Sequence, residues 1–169
     1  MGNINKKPLV GFGVVGRKTF TISAWVKRGQ VTATSDIMSA WSSNADSGHF
    51  LLRFDSAERL DVSTYSTNLL TTNRLFKDPS AWYHVVLTWD YNNNTQSLYV
   101  NGVLNDSQSG INYSASGSNN YIFLGDDNPG ANNTGMFGGK YGEFRIYNKS
   151  LSSTEVLNNY NATKSRYGL

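Results

Sequence analysis

The amino-acid sequence predicts an all-β chain, an antiparallel two-sheet β-sandwich with one short C-terminal helix near residues 152–160. Three observations lead there. Short segments whose apolar residues recur at every second position appear along the chain, the pattern of strands with one buried face. The stretches between them are rich in Asn, Ser, Thr and Gly, residues that supply the backbone conformations of turns. Only the last segment changes period: Phe144 and Ile146 alternate with Arg145 and Tyr147, and at Ser152 a helix signature begins.

In the segment FTISAWVK, Phe20, Ile22, Ala24 and Val26 alternate with Thr21, Ser23, Trp25 and Lys27, which reads as one core face and one outer face. DIMSAW (36–41) and HFLLRFD (49–55), separated by a polar loop at 42–48, read as a hairpin. In RLDVSTY (59–65), Leu60, Val62 and Thr64 alternate with Asp61, Ser63 and Tyr65, and a polar connection follows. WYHVVLTWD (82–90) is apolar on both faces, as a central strand is, with Tyr83, Val85, Leu87 and Trp89 on one side. SLYV then meets Asn101-Gly102, two residues that tolerate positive φ, so a tight hairpin is expected from Ser97 to about Asn105. Residues 106–120 are turn-forming and nearly free of strand pattern, YIFLG (121–125) restores it, and DDNPGANNTGMFGGKYG forms a long loop into the last strand. Ser152 and Glu155 stand at capping-box spacing, with Leu151 and Val156 placed for the hydrophobic staple.

The 169 residues fit one domain, long enough to bury a core. There is no cysteine, so disulfides and thiolate metal sites are excluded and the core must carry stability. A net charge of +3 is too mild to point to nucleic acid. Arg17, Lys18, Lys27 and Arg28 are read as a solvated strand edge whose charges discourage edge pairing. Residues 1–16 hold only a short apolar stretch broken by glycines, so neither a signal peptide nor a membrane span is read there. Six Asn-x-Ser/Thr triplets are read as a consequence of the Asn- and Ser-rich composition.

Catalysis finds little support. A retaining glycosidase needs two carboxylates about 5 Å apart facing one cleft, and no strand carries such an alternating acidic set. Glu58 and Asp61 fall on opposite faces of a strand, Asp126 and Asp127 diverge, and Glu143 and Glu155 have no acidic neighbour in sequence. His84, inside a central strand, is read as a packed core histidine and His49 as exposed. Calcium is a better candidate, because Asp126, Asp127 and Asn128 offer oxygen ligands in a loop able to curl around an ion, although an Asx-rich turn accounts for the same residues. Sugar recognition needs an exposed aromatic face and fixed polar groups. Trp41, Tyr91, Tyr113 and Tyr121 lie beside loops, with Asn119, Asn120, Asp126 and Asn128 as hydrogen-bonding partners, whereas Trp25, Trp82 and Trp89 sit within strands and are assigned to packing.

Taken in order, FTISAWVK, WYHVVLTWD, SLYVNG and GEFRIYNKSLSSTEVLNNY resemble the concanavalin A-like laminin G domains over residues 19–164, leaving 1–18 as an N-terminal arm or first strand and 165–169 as a tail. The resemblance implies a jelly-roll sandwich that binds glycans or proteins, often with calcium at a rim loop, and is mostly not an enzyme. It also implies an early strand pairing with the last one near 142–147, for which Leu9, Val10, Phe12, Val14 and Val15 are the candidates; the alternative is an arm that reaches a neighbouring subunit. Residues 158–169 are similar to laminin G-like segments of tailed-phage structural proteins. This implies a virion accessory protein, a capsid decoration or an adhesin, with other virion proteins and cell-surface glycans as partners, a homo-oligomer as an option, and neither nucleic-acid binding nor membrane insertion. A glycan hydrolase of the same fold and a soluble lectin unrelated to a virus are the alternatives.

Overall fold

The computed structural model describes residues 19–29, 31, 33–41, 45–46, 49–110, 121–126 and 135–169. Among them ten strands run in chain order: β1 (Phe20–Lys27), β2 (Ser35–Trp41), β3 (His49–Phe54), β4 (Leu60–Ser63), β5 (Asn68–Thr71), β6 (Trp82–Asp90), β7 (Thr95–Val100), β8 (Val103–Ser109), β9 (Tyr121–Leu124) and β10 (Lys140–Tyr147). A helix α1 (Ser153–Thr163) and a short 3-10 turn at Lys164–Tyr167 complete the chain. The strands form two five-stranded antiparallel sheets, ordered β10-β1-β6-β7-β8 and β5-β4-β3-β2-β9. The expected early strand before β1 lies outside the described residues.

Alternation fixes the core between the sheets. Ile22, Ala24 and Val26 of β1 and Tyr83, Val85, Leu87 and Trp89 of β6 meet Phe50, Leu52 and Phe54 of β3 and Leu60 and Val62 of β4, all buried. Each fully buried Leu, Val or Phe side chain contributes about 1.5–3 kcal/mol relative to exposure, so this layer dominates stability. The sandwich closes on one flank where the Thr71 amide donates to Asp106 Oδ2 at 2.8 Å, joining β5 to β8.

Both faces of β1 are buried, not one. Trp25 is 1% exposed because α1 and the C-terminal turn lie on the outer face of its sheet. Its indole ring stacks on Tyr167 at 4.1 Å and Tyr160 at 5.8 Å, and its Nε1–H donates to Thr163 Oγ1 at 3.0 Å. The helix starts as the sequence predicts: the Glu155 amide donates to the Ser152 hydroxyl while the Glu155 carboxylate accepts from the Ser152 amide. Leu151 and Val156 pack with Val86 and Tyr99 in a second, smaller apolar cluster beneath the helix. The β7–β8 turn has φ of 52° at Asn101 and 79° at Gly102, and a β-carbon on Gly102 would stand 2.9 Å from Leu157 Cδ1, so α1 seats directly over this turn.

Five local expectations are corrected. β5 occupies part of what reads as a polar connection, because NLLT is too short to show alternation. β8 continues to Ser109 through polar residues, since an edge strand exposed on its outer side needs no apolar pattern. Arg28 is 2% exposed, its guanidinium over the Phe54 ring at 4.5 Å and donating to the Phe76 carbonyl at 2.6 Å, so it is a packed residue and not part of a solvated edge. His49 is buried rather than exposed, in contact with the Tyr65 ring. Glu58 sits in a turn with φ of 67°, outside β4, so it is not on the opposite face of the strand that carries Asp61.

Candidate functional site

The outer face of the β5-β4-β3-β2-β9 sheet brings several of the sequence-predicted residues into register. Since one sheet face carries every second residue, the cross-strand pairs define three rows. The backbone ladder pairs Tyr121 with Trp41 and Trp41 with His49. Two residues along, Phe123, Ser39, Leu51, Ser63 and Asn68 are linked in turn. In the third row Asp36 pairs with Arg53, Arg53 with Asp61, and Asp61 with Thr71. Tyr65, two residues beyond Ser63, extends the first row: its ring lies 5.9 Å from that of His49. Aromatic positions and a histidine thus line one end of the face and charged groups the other, about 13–14 Å apart at ~3.4 Å per residue.

Exposure decides which of these groups a ligand can reach. Ser39, Leu51 and Ser63 of the middle row are closed off from solvent, whereas Tyr65 is 55% exposed and the Arg53 side chain 27%. Arg53 Nε donates to Asp61 Oδ2 at 2.8 Å, and Ser63 Oγ donates to the same oxygen at 3.0 Å. Thr71 Oγ1 lies 3.4 Å from Asp61 Oδ1. The buried carboxylate therefore fixes the guanidinium in one orientation. At the aromatic end, Asp46 accepts from Thr64 Oγ1 at 2.7 Å, from the Ser66 amide at 2.6 Å, from Ser66 Oγ at 2.7 Å and from Thr67 Oγ1 at 3.3 Å. These bonds, with the Ser66 hydroxyl contributing most and Thr64 next, hold the Asp46 carboxyl down at about 2.

The other expected residues are distributed as follows. Tyr91 is exposed on the β6–β7 turn of the opposite sheet, its amide donating to Thr19 Oγ1 at 3.2 Å, and so lies off this face. Asp126 is buried just past β9, with its carbonyl accepting from Ser39 Oγ at 2.7 Å. Tyr113, Asn119, Asn120, Asp127 and Asn128 lie outside the described residues. Asp36 is also buried, close against Gly135, whose carbonyl accepts from the Asp36 amide at 2.7 Å. Nearby, burial and then the Asp36 charge push the Tyr141 phenol well above its usual range. Among the described residues no three His, Cys, Asp or Glu side chains gather as a metal site.

One pair has the appearance of catalytic machinery. Ser23 Oγ and His84 Nε2 are 2.9 Å apart, a nucleophile-to-base distance. Both are sealed beneath α1, however, with the imidazole 5.0 Å from the Trp25 ring and 6.1 Å from that of Tyr160. Burial, and next the Arg145 charge, pull the His84 imidazole down to about 4. The pair is a structural hydrogen bond, in keeping with the packed histidine read from the sequence. Among the described residues no helix is long and apolar enough to cross a membrane.

The model of the Laminin_G_3 family, described as concanavalin A-like lectin/glucanases superfamily, matches residues 8–157. The chain belongs to this superfamily. The domain of the Ruminococcus gnavus IT-sialidase termed CBM40, solved bound to α2,3-sialyllactose, superposes with a TM-score of 0.72 at 18% identity, covering 95% of this chain and 94% of that one. A Bacteroides ovatus protein whose carbohydrate binding is itself inferred gives 0.69 at 21% identity, covering 91% of this chain. This chain spans 43% of that protein's length. The heptameric SAP-like pentraxin of Limulus polyphemus gives 0.66 at 17% identity, covering 90% of this chain and 70% of that one. Comparison with the curated proteins gave no match. At these identities the superpositions establish the superfamily fold.

Sequence reasoning singled out Trp41 and Tyr121, whose register lies on this face, but not Tyr65, His49 or Arg53 of the same face. A signal for Tyr65 was present, because Asp61, Ser63 and Tyr65 continue one parity past the end of β4.

Proposed function

We propose that this chain is a non-enzymatic carbohydrate-binding module whose glycan site lies on the outer face of the β5-β4-β3-β2-β9 sheet. The observation that carries this reading is the placement of the exposed Tyr65, beside the His49 ring, at one end of a face whose other end presents the Arg53 guanidinium, oriented by the buried Asp61 carboxylate. Aromatic faces accept the C–H surface of a pyranose, and oriented charged groups read its hydroxyls. The CBM40 domain of the Ruminococcus gnavus IT-sialidase, similar in fold and extent, was solved bound to α2,3- and to α2,6-sialyllactose, which supports a glycan as ligand class. A broad glycan array with the purified chain is the test: retention of at least one glycan family is expected, and blank binding together with cleavage of any polysaccharide would overturn the assignment in favour of an enzyme.

Calcium is proposed as an auxiliary ligand of the loop that follows β9. Its support is the oxygen-donor chemistry of Asp126, Asp127 and Asn128, of which Asp126 is a buried residue at the start of that loop. Carriage on a virus particle, as a decoration protein or adhesin docked on other virion proteins, is the narrower form of the proposal. It is supported by the likeness of residues 158–169 to phage structural segments. Mass spectrometry of purified particles tests it: the chain at fixed stoichiometry supports a virion role, and its absence removes that role while leaving the module.

A further inference from the structure

We propose that Tyr65 is the sugar-stacking platform of this face, and that Asp46 is the positioning residue that holds it. The inference rests on the carbohydrate-binding reading above and specifies where and how one pyranose is held. A single exposed aromatic side chain is ordinary on a protein surface and by itself says nothing. Tyr65 differs in how its backbone is fixed. The turn that carries it is closed by the Thr64 amide donating to the Thr67 carbonyl at 2.8 Å. The Asp46 carboxylate then reaches from a separate loop to take hydrogen bonds from Thr64, Ser66 and Thr67, on both sides of the tyrosine.

Thr64 anchors the turn by its burial, whereas the residues after it, Tyr65 to Thr67, are exposed. Here four hydrogen bonds to one carboxylate hold the turn, so the ring is presented at little cost in ordering when a ligand arrives. Tyr65 is 55% exposed, and its ring centroid lies 5.9 Å from that of the buried His49 imidazole, tilted against it. An amphipathic ring with few torsions, held rigidly and facing solvent, is what stacking on the C–H face of a pyranose requires. Because Asp46 stays ionised down to about pH 2, the clamp is intact throughout the neutral and mildly acidic range. Tyr91, the other exposed tyrosine near a predicted site, sits on the opposite sheet, outside this row.

The test compares the wild-type chain with Tyr65→Ala, Tyr65→Phe and Asp46→Asn on a glycan array. It is followed by calorimetric titration with lactose, with 3′-sialyllactose and with the strongest array ligand. Tyr65→Ala is expected to weaken binding about tenfold or more while the melting temperature moves by no more than about 2 °C. Tyr65→Phe keeps the ring and is expected to bind within about threefold of wild type. Asp46→Asn is expected to weaken binding by about threefold to tenfold, since it loosens the platform without removing it. If the wild type binds a glycan and Tyr65→Ala binds it equally well, the platform is overturned while the carbohydrate-binding reading stands. If Tyr65→Ala fails and Asp46→Asn binds as wild type, the positioning role of Asp46 is overturned. Blank arrays with the wild type overturn the reading on which both depend.

Discussion

Lowering the pH from 7 to 5 is expected to destabilise this domain chiefly through one side chain, His84. In the folded chain its imidazole is buried beneath Trp25 and Tyr160, and burial pulls it down to about 4 from 6.5. A histidine held neutral by the fold binds a proton more readily in the unfolded chain. Its stabilising effect is therefore complete above the unfolded value of 6.5 and is lost progressively as pH falls towards 4. Linkage between those two values gives a loss of about 2 kcal/mol between pH 7 and pH 5. In a domain of this size that corresponds to a fall in melting temperature of about 4–8 °C. The carboxylates whose values the fold depresses, Asp46, Asp78, Asp90 and Glu155, lose their contribution only at lower pH and leave this window to His84. Urea unfolding at pH 7, 6 and 5, with His84→Gln as the reference, measures the difference. The wild type should lose about 2 kcal/mol more than the variant across this range. Parallel pH profiles for the two proteins would refute the assignment of the acid sensitivity to this buried imidazole.

Replacing Ser152 by Ala removes the N-cap acceptor of α1 and is expected to cost about 1 kcal/mol, read as a melting temperature about 2–4 °C lower. Gly102→Ala places a β-carbon at φ of 79° and 2.9 Å from Leu157. Thermal melts should show a loss of about 1–2 kcal/mol from the left-handed backbone, together with weaker seating of α1. If calcium is held by the loop after β9, millimolar calcium should raise the melting temperature of the chelator-treated wild type by a few degrees, and Asp126→Asn should abolish the increment; equal melts with and without the ion would remove calcium from the account.

The sheet that pairs β1 with β6 was legible because its strands obey simple period-two alternation, and the β7–β8 turn because Asn101-Gly102 permits few other conformations. The capping box and staple at Ser152, Glu155, Leu151 and Val156 were legible for the same local reason. What escaped the sequence depends on neighbours distant along the chain. Trp25 is buried on the outer side of β1 only because residues some 140 positions later fold back over it, with Thr163 as its hydrogen-bond partner. β5 and the distal half of β8 are strands because each is paired with a neighbour, β5 with β4 and β8 with β7, and their own side chains carry no pattern. The candidate face was half legible. Trp41 and Tyr121 have loops beside them, which sequence reveals, but their alignment with His49 and Tyr65 is a consequence of register across four strands. Arg53 and Asp61, eight residues apart, become a fixed ion pair only through the β3–β4 ladder.

The most direct test of the account is a map of ligand-induced shifts in backbone amide NMR signals, recorded with the strongest ligand from the glycan array. The account predicts that the perturbed amides cluster on β2, β3 and β4 and on the Thr64–Thr67 turn, around Trp41, His49, Arg53 and Tyr65. Signals of α1 and of the sheet beneath it, around Trp25 and Val86, should stay unchanged. Shifts centred on α1 and the β7–β8 turn would contradict the placement of the site on the outer face of the β5-β4-β3-β2-β9 sheet.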